Sequence, residues 1–508
     1  MKAKKIFGLL AAGMMALPLL FGAMGAGTSV DAAEVPKDVD VTLHKLAWKD
    51  EMPGELPNDG KQMPEFAEDG TTLSGVEFTV YDVTAKYHEL IFASTAENPQ
   101  QSAVNTIVND STSGKPTYAA SIVDGENTDT KGTTGTTGEV KFGNLPLKKM
   151  VGGISKDAVY LFIETDAPVE VREKAAPIVL AMPIYTVGDD STLNTDIHLY
   201  PKNVTMEDTK EITNITAKVE DDKGNLVGMN VNIGDEIDYK ITIHVPKDIA
   251  SFNTFSVKDT PSAGLVLKQG SISLPNTLEA DDYSLTVGGT SNPNGFEIVF
   301  DTEKGIRDFA GEPITITYKM TLTGDINPND IHGNEALFTI GSKPNEIKGP
   351  GVVTGGYQFK KTDAHTGAGL AGAEFVVKNG DKYAVFGAST TGEYTFTGVW
   401  ADSKDATGTK ITSGSAGVLN IKGFENGNYF LEETKAPEGY VLLTENVGFK
   451  VEYGKYGNTT LATNVANTPK GLLPSTGGNG IFAFLAIGLG LMLGAFVWYK
   501  NSKKQAQV

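Results

Sequence analysis

The sequence predicts an all-β chain, tandem β-sandwiches set between an N-terminal leader and an apolar C-terminal helix. Segments such as "VEFTVYDV", "EIDYKITIHV", "PITITYKMTL" and "GVLNIKGF" alternate apolar and polar residues with a period of two, the pattern of half-buried strands. Clusters of Gly, Asn, Asp and Thr separate these segments and serve as turns. Long amphipathic helical windows are lacking outside the two termini, and many short strands with frequent turns point to sandwiches.

The leader comes first. In "MKAKKIFGLL AAGMMALPLL FGAMGAGTSV DAA" three lysines precede an apolar stretch, and "SVDAA" offers a cleavage site near Ala32 or Ala33. Residues 1–33 therefore read as a secretory signal peptide. At the other end, residues 481–499 carry no charge; about 20 apolar residues suffice to cross a hydrocarbon core roughly 30 Å thick. Trp498 and Tyr499 suit the interfacial belt, and Lys500, Lys503 and Lys504 set the tail on the cytoplasmic side. A transmembrane helix is expected there.

Between these ends lie roughly 430 residues, room for three domains of typical size. A formal charge of −20 excludes nucleic acid as a natural partner. Cysteine is absent, which removes disulfides, thiolate nucleophiles and Cys-ligated zinc. The six histidines show no H-E-x-x-H or comparable spacing, so no metal and no cofactor is expected. "GGTSNPNG" and "DGENTDTKGTTGTTG" lack EF-hand or Walker spacing and read as turns.

An internal echo divides the exported part. Residues 159–168, "VYLFIETDAP", match 428–437, "NYFLEETKAP"; upstream, "TTLSGVEFTVYD" (71–82) matches "AGLAGAEFVVKN" (368–379). Two domains of one type thus flank a middle one with its own grammar, "VNIGDEIDYKITIHVP", "FSVKDTPSAGLVL" and "GNEALFTIG". Boundaries at "YPKNVTMED" and "KGPGVVTGG" give domains over 34–203, 204–350 and 351–470, with a terminal signal over 471–508.

That terminal signal, LPSTG (Leu473, Pro474, Ser475, Thr476, Gly477) before an apolar span and a Lys-rich tail, is similar to the sorting signal of Gram-positive cell-wall proteins processed by sortase. The flanking domains resemble Cna B-type folds, and the middle resembles the second domain of sortase-assembled backbone pilins. "DIHLYPKNV" (196–204) contains the Tyr-Pro-Lys-Asn of the pilin motif, although the upstream Trp common in that motif does not precede Tyr200 nearby. The resemblance implies tandem immunoglobulin-like sandwiches, Cna B-type and pilin D2-type, in a major pilin. It also implies the chemistry. A sortase cysteine attacks the carbonyl of Thr476, releases the segment that begins at Gly477, and passes the acyl group to an amine; in a pilus that amine is Lys202 of another subunit. Pro474 favours an extended approach of the motif.

The resembling domains also carry an internal amide between a lysine on the first strand and an asparagine on the last, promoted by a nearby acid. Burial lowers a lysine's pKa and raises an acid's, and holding the groups together replaces a bimolecular encounter. In the third domain this assigns Lys361, Glu433 and Asn467; Lys360 is the alternative, on the opposite face by alternation. In the first domain Lys45, Glu164 and Asn203 hold the corresponding places, with Asn203 turned inward and Lys202 outward. The middle domain would use Asp259 as the acid with Asn334, and Lys210 or Lys218 as the lysine, Lys210 being preferred on the first strand.

The function expected is structural: the backbone subunit of a covalent pilus, a substrate of sortase and not itself an enzyme. Its partners would be other copies of itself, sortase, tip and basal pilins, and peptidoglycan. The alternative is a singly wall-anchored adhesin binding host matrix, which would need no Lys202 nucleophile. No carboxylate pair or Ser/His/Asp arrangement supports a wall hydrolase.

Overall fold

The structure is a computed structural model and describes residues 36–53, 58–64, 70–122, 131–187, 189–290, 292–324, 326–387, 390–471 and 480–505. The leader and the LPSTG motif lie outside the described residues. The chain divides into two compact units: one runs to Val353 apart from Val231–Gly234 and Asn327–Asn329, and those two pieces belong with the second, which starts at Thr354.

In the first unit the hydrogen-bonded sheets form two sets. One set uses strands between Asp38 and Thr205, the other strands between Thr209 and Val353; among the described residues no sheet mixes them. In the first set, strand Asp38–His44 runs parallel to Asp196–Leu199 and antiparallel to Glu139–Pro146. The chain then breaks at Lys45 and resumes as Leu46–Lys49, parallel to Lys202–Thr205. Its partner breaks at the same level, because Pro201 has no N–H to give a ladder; Leu46 N–H donates to the Pro201 carbonyl at 3.2 Å. The facing sheet pairs Glu77–Asp82 with Val159–Asp166, and Val41, Leu43, Phe78, Phe142, Tyr160 and Phe162 fill the core between.

The second set stacks two antiparallel sheets, one around Glu236–His244 and Pro313–Leu322 and the other around Phe255–Pro261 and Asn334–Ile340. Strict alternation of burial along Glu236–His244 turns Ile237, Tyr239, Ile241 and Ile243 inward. In the second unit, Gly355–Asp363 pairs parallel with the late strand Thr463–Asn467, and Glu374–Asn379 pairs antiparallel with Gly427–Lys435. The chain is thus predominantly β, as the period-two pattern predicts.

Two elements depart from that reading. Helices Thr84–Ala93 and Pro99–Asp110 come after strand Glu77–Asp82, where the sequence pattern predicts only strands and turns. They pack Tyr87, Ala103 and Ile107 on Tyr81, Val159, Leu161 and Ile163, so strand Val159–Asp166 is covered on both faces. Its unbroken apolar run "VYLFI" is the signature of a doubly covered strand. Each helix is only about three turns long and spends few residues on its apolar stripe, which hides it from a long-window search.

At the C-terminus a helix runs Gly480–Gln505. Its side chains are described only from Phe484 to Lys500, and among the described residues no helix is long and apolar enough to cross a membrane. The helix covers residues 481–499, where the sequence places a span.

Candidate functional site

The echoed segments build the same local frame twice. In the first sandwich the Lys45 carbonyl accepts from Leu73 N–H at 3.0 Å; in the last, the Lys361 carbonyl accepts from Leu370 N–H at 2.8 Å. Leu73 and Leu370 are equivalent positions of the echo. Each carbonyl also has a left-handed glycine against it: a Cβ on Gly138 (φ +76°) would stand 2.7 Å from the Lys45 oxygen, and one on Gly417 (φ +78°) 2.0 Å from that of Lys361. Only a residue without Cβ allows that approach. The acids obey the same rule, for Glu164 is in register with Phe78 and Glu433 with Phe375.

These frames bring the expected residues together. Lys45 and Asn203 are fully buried; the Lys45 ammonium nitrogen contacts Asn203 Oδ1 and lies 3.2 Å from Glu164 Oε2. Asn203 Nδ2 donates to Glu164 Oε1 at 2.8 Å. Burial pushes the Lys45 pKa down to about 8 against the opposing pull of Glu164. In the last sandwich Lys361 Nζ donates to the Val465 carbonyl at 2.8 Å and sits 3.6 Å from Glu433 Oε1. Asn467 Nδ2 donates to Glu433 Oε2 at 2.8 Å and to the Val441 carbonyl at 2.6 Å. Burial lowers the Lys361 pKa, with Glu433 opposing. Lys360 is exposed, as alternation requires, and Lys361 is buried.

The middle sandwich differs in detail. Lys210 is buried and bonded to Asp259, whereas Lys218 lies on the exposed side of its strand. Asn334 is buried, but its amide donates to Tyr318 Oη at 3.1 Å, and Tyr318 in turn donates to Asp259 Oδ2 at 2.6 Å. Lys210 and Asn334 therefore meet through Asp259 and Tyr318, from opposite sheets, and two strands come after that of Asn334. Burial raises the Asp259 pKa and lowers that of Lys210, the directions that favour a neutral amine beside a neutral carboxyl. The Tyr318 hydroxyl is a participant that sequence reading missed; its inward place in "PITITYKMTL" was legible, its polar task was not.

Lys202 is half-buried beside the inward Asn203. Its ammonium nitrogen lies 5.8 Å from the ring centroid of Trp48, within cation–π range. Trp48 belongs to strand Leu46–Lys49, in register with Val204, and packs with Leu46, Met63 and Tyr200. The tryptophan that is not near the Tyr-Pro-Lys-Asn segment in sequence is brought beside it across the sheet. Thr476 and the rest of the sorting motif are outside the described residues. Among the described residues no group of three or more His, Cys, Asp or Glu is placed to hold a metal ion.

Three family models match the chain: the Gram-positive pilin subunit D1 N-terminal domain over residues 36–204, a prealbumin-like fold domain over 355–465, and the LPXTG cell-wall anchor motif over 466–506. The fimbrial subunit type 2 of Actinomyces naeslundii is 25% identical over 573 aligned residues, covering 95% of this chain and 93% of that protein. The fimbrial subunit type 1 of Actinomyces viscosus is 26% identical over 409, covering 68% and 73%. The full-length major pilin SpaD from Corynebacterium diphtheriae superposes with a TM-score of 0.48 at 20% identity, over 87% of this chain and 100% of that one. With a match to the Gram-positive pilin D1 domain at its start, to a prealbumin-like domain near its end and to a cell-wall anchor after that, the chain carries the domains of Gram-positive pilin subunits and the anchor of a cell-wall surface protein.

Proposed function

We propose that this pilin is the backbone subunit of a covalent pilus, joined by sortase through Thr476 of one copy to Lys202 of the next, and that its three sandwiches are closed by Lys45–Asn203, Lys210–Asn334 and Lys361–Asn467 amides. The observation that carries the reading is the burial of one lysine beside one acid in each sandwich, with a buried asparagine bonded to that acid directly in the first and last and through Tyr318 in the middle one. A buried, neutral lysine amine attacks the asparagine Cγ. The C–Nδ2 bond breaks, one amine proton passes through the acid to the leaving nitrogen, and ammonia departs. Glu164, Asp259 and Glu433 are the acids. Each closure lowers the mass by about 17 Da, the mass of the ammonia expelled in this intramolecular exchange.

For polymerisation, the sortase thiolate breaks the Thr476–Gly477 bond and holds a thioester, which the Lys202 amine resolves into an amide. The placement of Lys202 beside a locked Asn203 and over Trp48 supports this role, since the amine is offered from a strand pinned on its other face. Tip and basal pilins and peptidoglycan are the remaining partners. An immunoblot of cell-wall extracts tests the assignment. A high-mass ladder in wild type that collapses to monomer in a Lys202→Ala strain is expected; an unchanged ladder in that strain refutes it.

A further inference from the structure

After each Glu-Thr-x-Ala-Pro turn the chain returns across the site as a strap. Ala175 N–H donates to Glu164 Oε2 at 3.1 Å in the first sandwich, and Leu443 N–H to Glu433 Oε2 at 2.8 Å in the last. The two straps do the same work but are held down differently. The last sandwich holds its own: Tyr440 Oη donates to Asp363 Oδ2 at 2.7 Å, Tyr440 bridges Pro469, and Val441 N–H donates to the Thr468 carbonyl at 2.9 Å.

Among the described residues the first sandwich holds one edge of its strap, where Val171 and Glu173 pair with Thr205 and Val204 of the strand that carries Lys202 and Asn203. The residue between them, Arg172, is 1% exposed and is inserted into the second sandwich. Its guanidinium donates to Asp208 Oδ2 at 2.5 Å and lies 5.6 Å from the Phe338 ring. Asp208 is fixed in turn by His244 N–H at 2.9 Å. The neighbours on the strap repeat the direction of contact: Glu173 pairs with Lys247 at 2.6 Å, Lys174 with Asp248 at 3.0 Å, and the Arg172 carbonyl accepts from Lys247 N–H at 3.1 Å. A guanidinium is not left in that place without its carboxylate, because an unpaired buried charge is strongly unfavourable. Before the second sandwich has folded, Arg172 belongs in water, and it draws the strap off Glu164.

We infer that Arg172 is a positioning residue which couples closure of the Lys45–Asn203 amide to folding of the second sandwich, so that the strand presenting Lys202 is locked only in a completed subunit. This rests on the amide chemistry proposed above. Phe338 and Asp208 lie C-terminal to every residue of the first site, so the order arises from synthesis as well as from packing. The last sandwich, with its strap anchored internally, closes without such help.

The test tracks cross-linked peptides by mass spectrometry in the full chain at successive times after synthesis, for wild type, Arg172→Ala, Asp208→Asn and Arg172→Lys. The expected result is a Lys45–Asn203 peptide that accumulates at least tenfold more slowly in Arg172→Ala and in Asp208→Asn, with partial recovery in Arg172→Lys. The Lys361–Asn467 peptide should accumulate at the wild-type rate throughout. Hydrogen exchange at Ala175 should quicken in Asp208→Asn while strand Val159–Asp166 stays protected. Wild-type rates of Lys45–Asn203 closure in both Arg172→Ala and Asp208→Asn overturn the coupling and leave the amide chemistry standing. Joint loss of all cross-links in a variant contradicts a local role. Absence of the Lys45–Asn203 peptide from wild type at every time removes the underlying chemistry, and the coupling with it.

Discussion

A lysine amine is a nucleophile only when it has lost its proton, and at Lys45 burial does most of that work, lowering its pKa to about 8. Below that value the neutral fraction falls about tenfold per pH unit. The rate of Lys45–Asn203 closure should therefore climb with pH to about 8 and level off above it, as tracked by loss of ammonia; a rate flat from about pH 6 to about pH 8 is inconsistent with an amine titrating there. Stability of the unreacted chain has the matching sign. The unfolded lysine, near 10.4, binds its proton more tightly than the folded one, so the open form gains stability as pH rises from about 8 towards the unfolded value. In the middle sandwich the Tyr318 hydroxyl joins Asp259 to Asn334. Tyr318→Phe strips a partner from two buried groups, a loss of about 1–3 kcal/mol, and should slow Lys210–Asn334 closure roughly tenfold or more; closure at the wild-type rate would place the hydroxyl outside the reaction. The charged members of these sites were named from the family resemblance, and alternation added only the choice of Lys361 over Lys360. Tyr318 was not, since an inward tyrosine and an inward core aromatic occupy the same position in a period-two pattern.

Among elements, the echoed strands explain why so much of the site could be read in advance. Leu73 and Leu370 hold the two lysine carbonyls, and Phe78 and Phe375 set the register of the two acids; the sequence identities and the contacts are the same facts at two levels. What escaped was structure without a long period. The helix Pro99–Asp110 starts from Asn98, whose side chain accepts from Gln101 N–H at 3.1 Å, with Pro99 in the first turn. That cap was visible as "ENPQQ" to a search for helix starts. Asn98→Ala should lower the stability of the first sandwich by about 1 kcal/mol, read from denaturant unfolding of the open form; no change would mean that packing on Val159 and Leu161 alone sets the helix. The strap residues escaped for another reason: their contribution to Glu164 and Glu433 is made by backbone N–H groups, which carry no side-chain signature.

At the scale of the molecule, the positions of the amides decide what a pull can lengthen. In the proposed pilus, force entering at Lys202 and leaving at Thr476 would run through the chain after residue 202, so the first sandwich would lie upstream of the load. Within the loaded part the proposed Lys210–Asn334 and Lys361–Asn467 amides would bypass most of both sandwiches. Opening the last by Lys361→Ala frees roughly a hundred residues, about 350 Å at some 3.5 Å each. Single-molecule stretching between residue 202 and the C-terminal end should show that increment in Lys361→Ala and none in Lys45→Ala. The acyl-donor end was legible as the LPSTG string, and its geometry lies outside the described residues, so the join between copies is a matter for chemistry. Its most direct measurement is digestion of purified pili and mass spectrometry of the fragments. A branched peptide in which the Thr476 carboxyl is amide-linked to the Lys202 side chain is expected. Pili that dissociate to monomers in hot detergent and yield no such branch would contradict it.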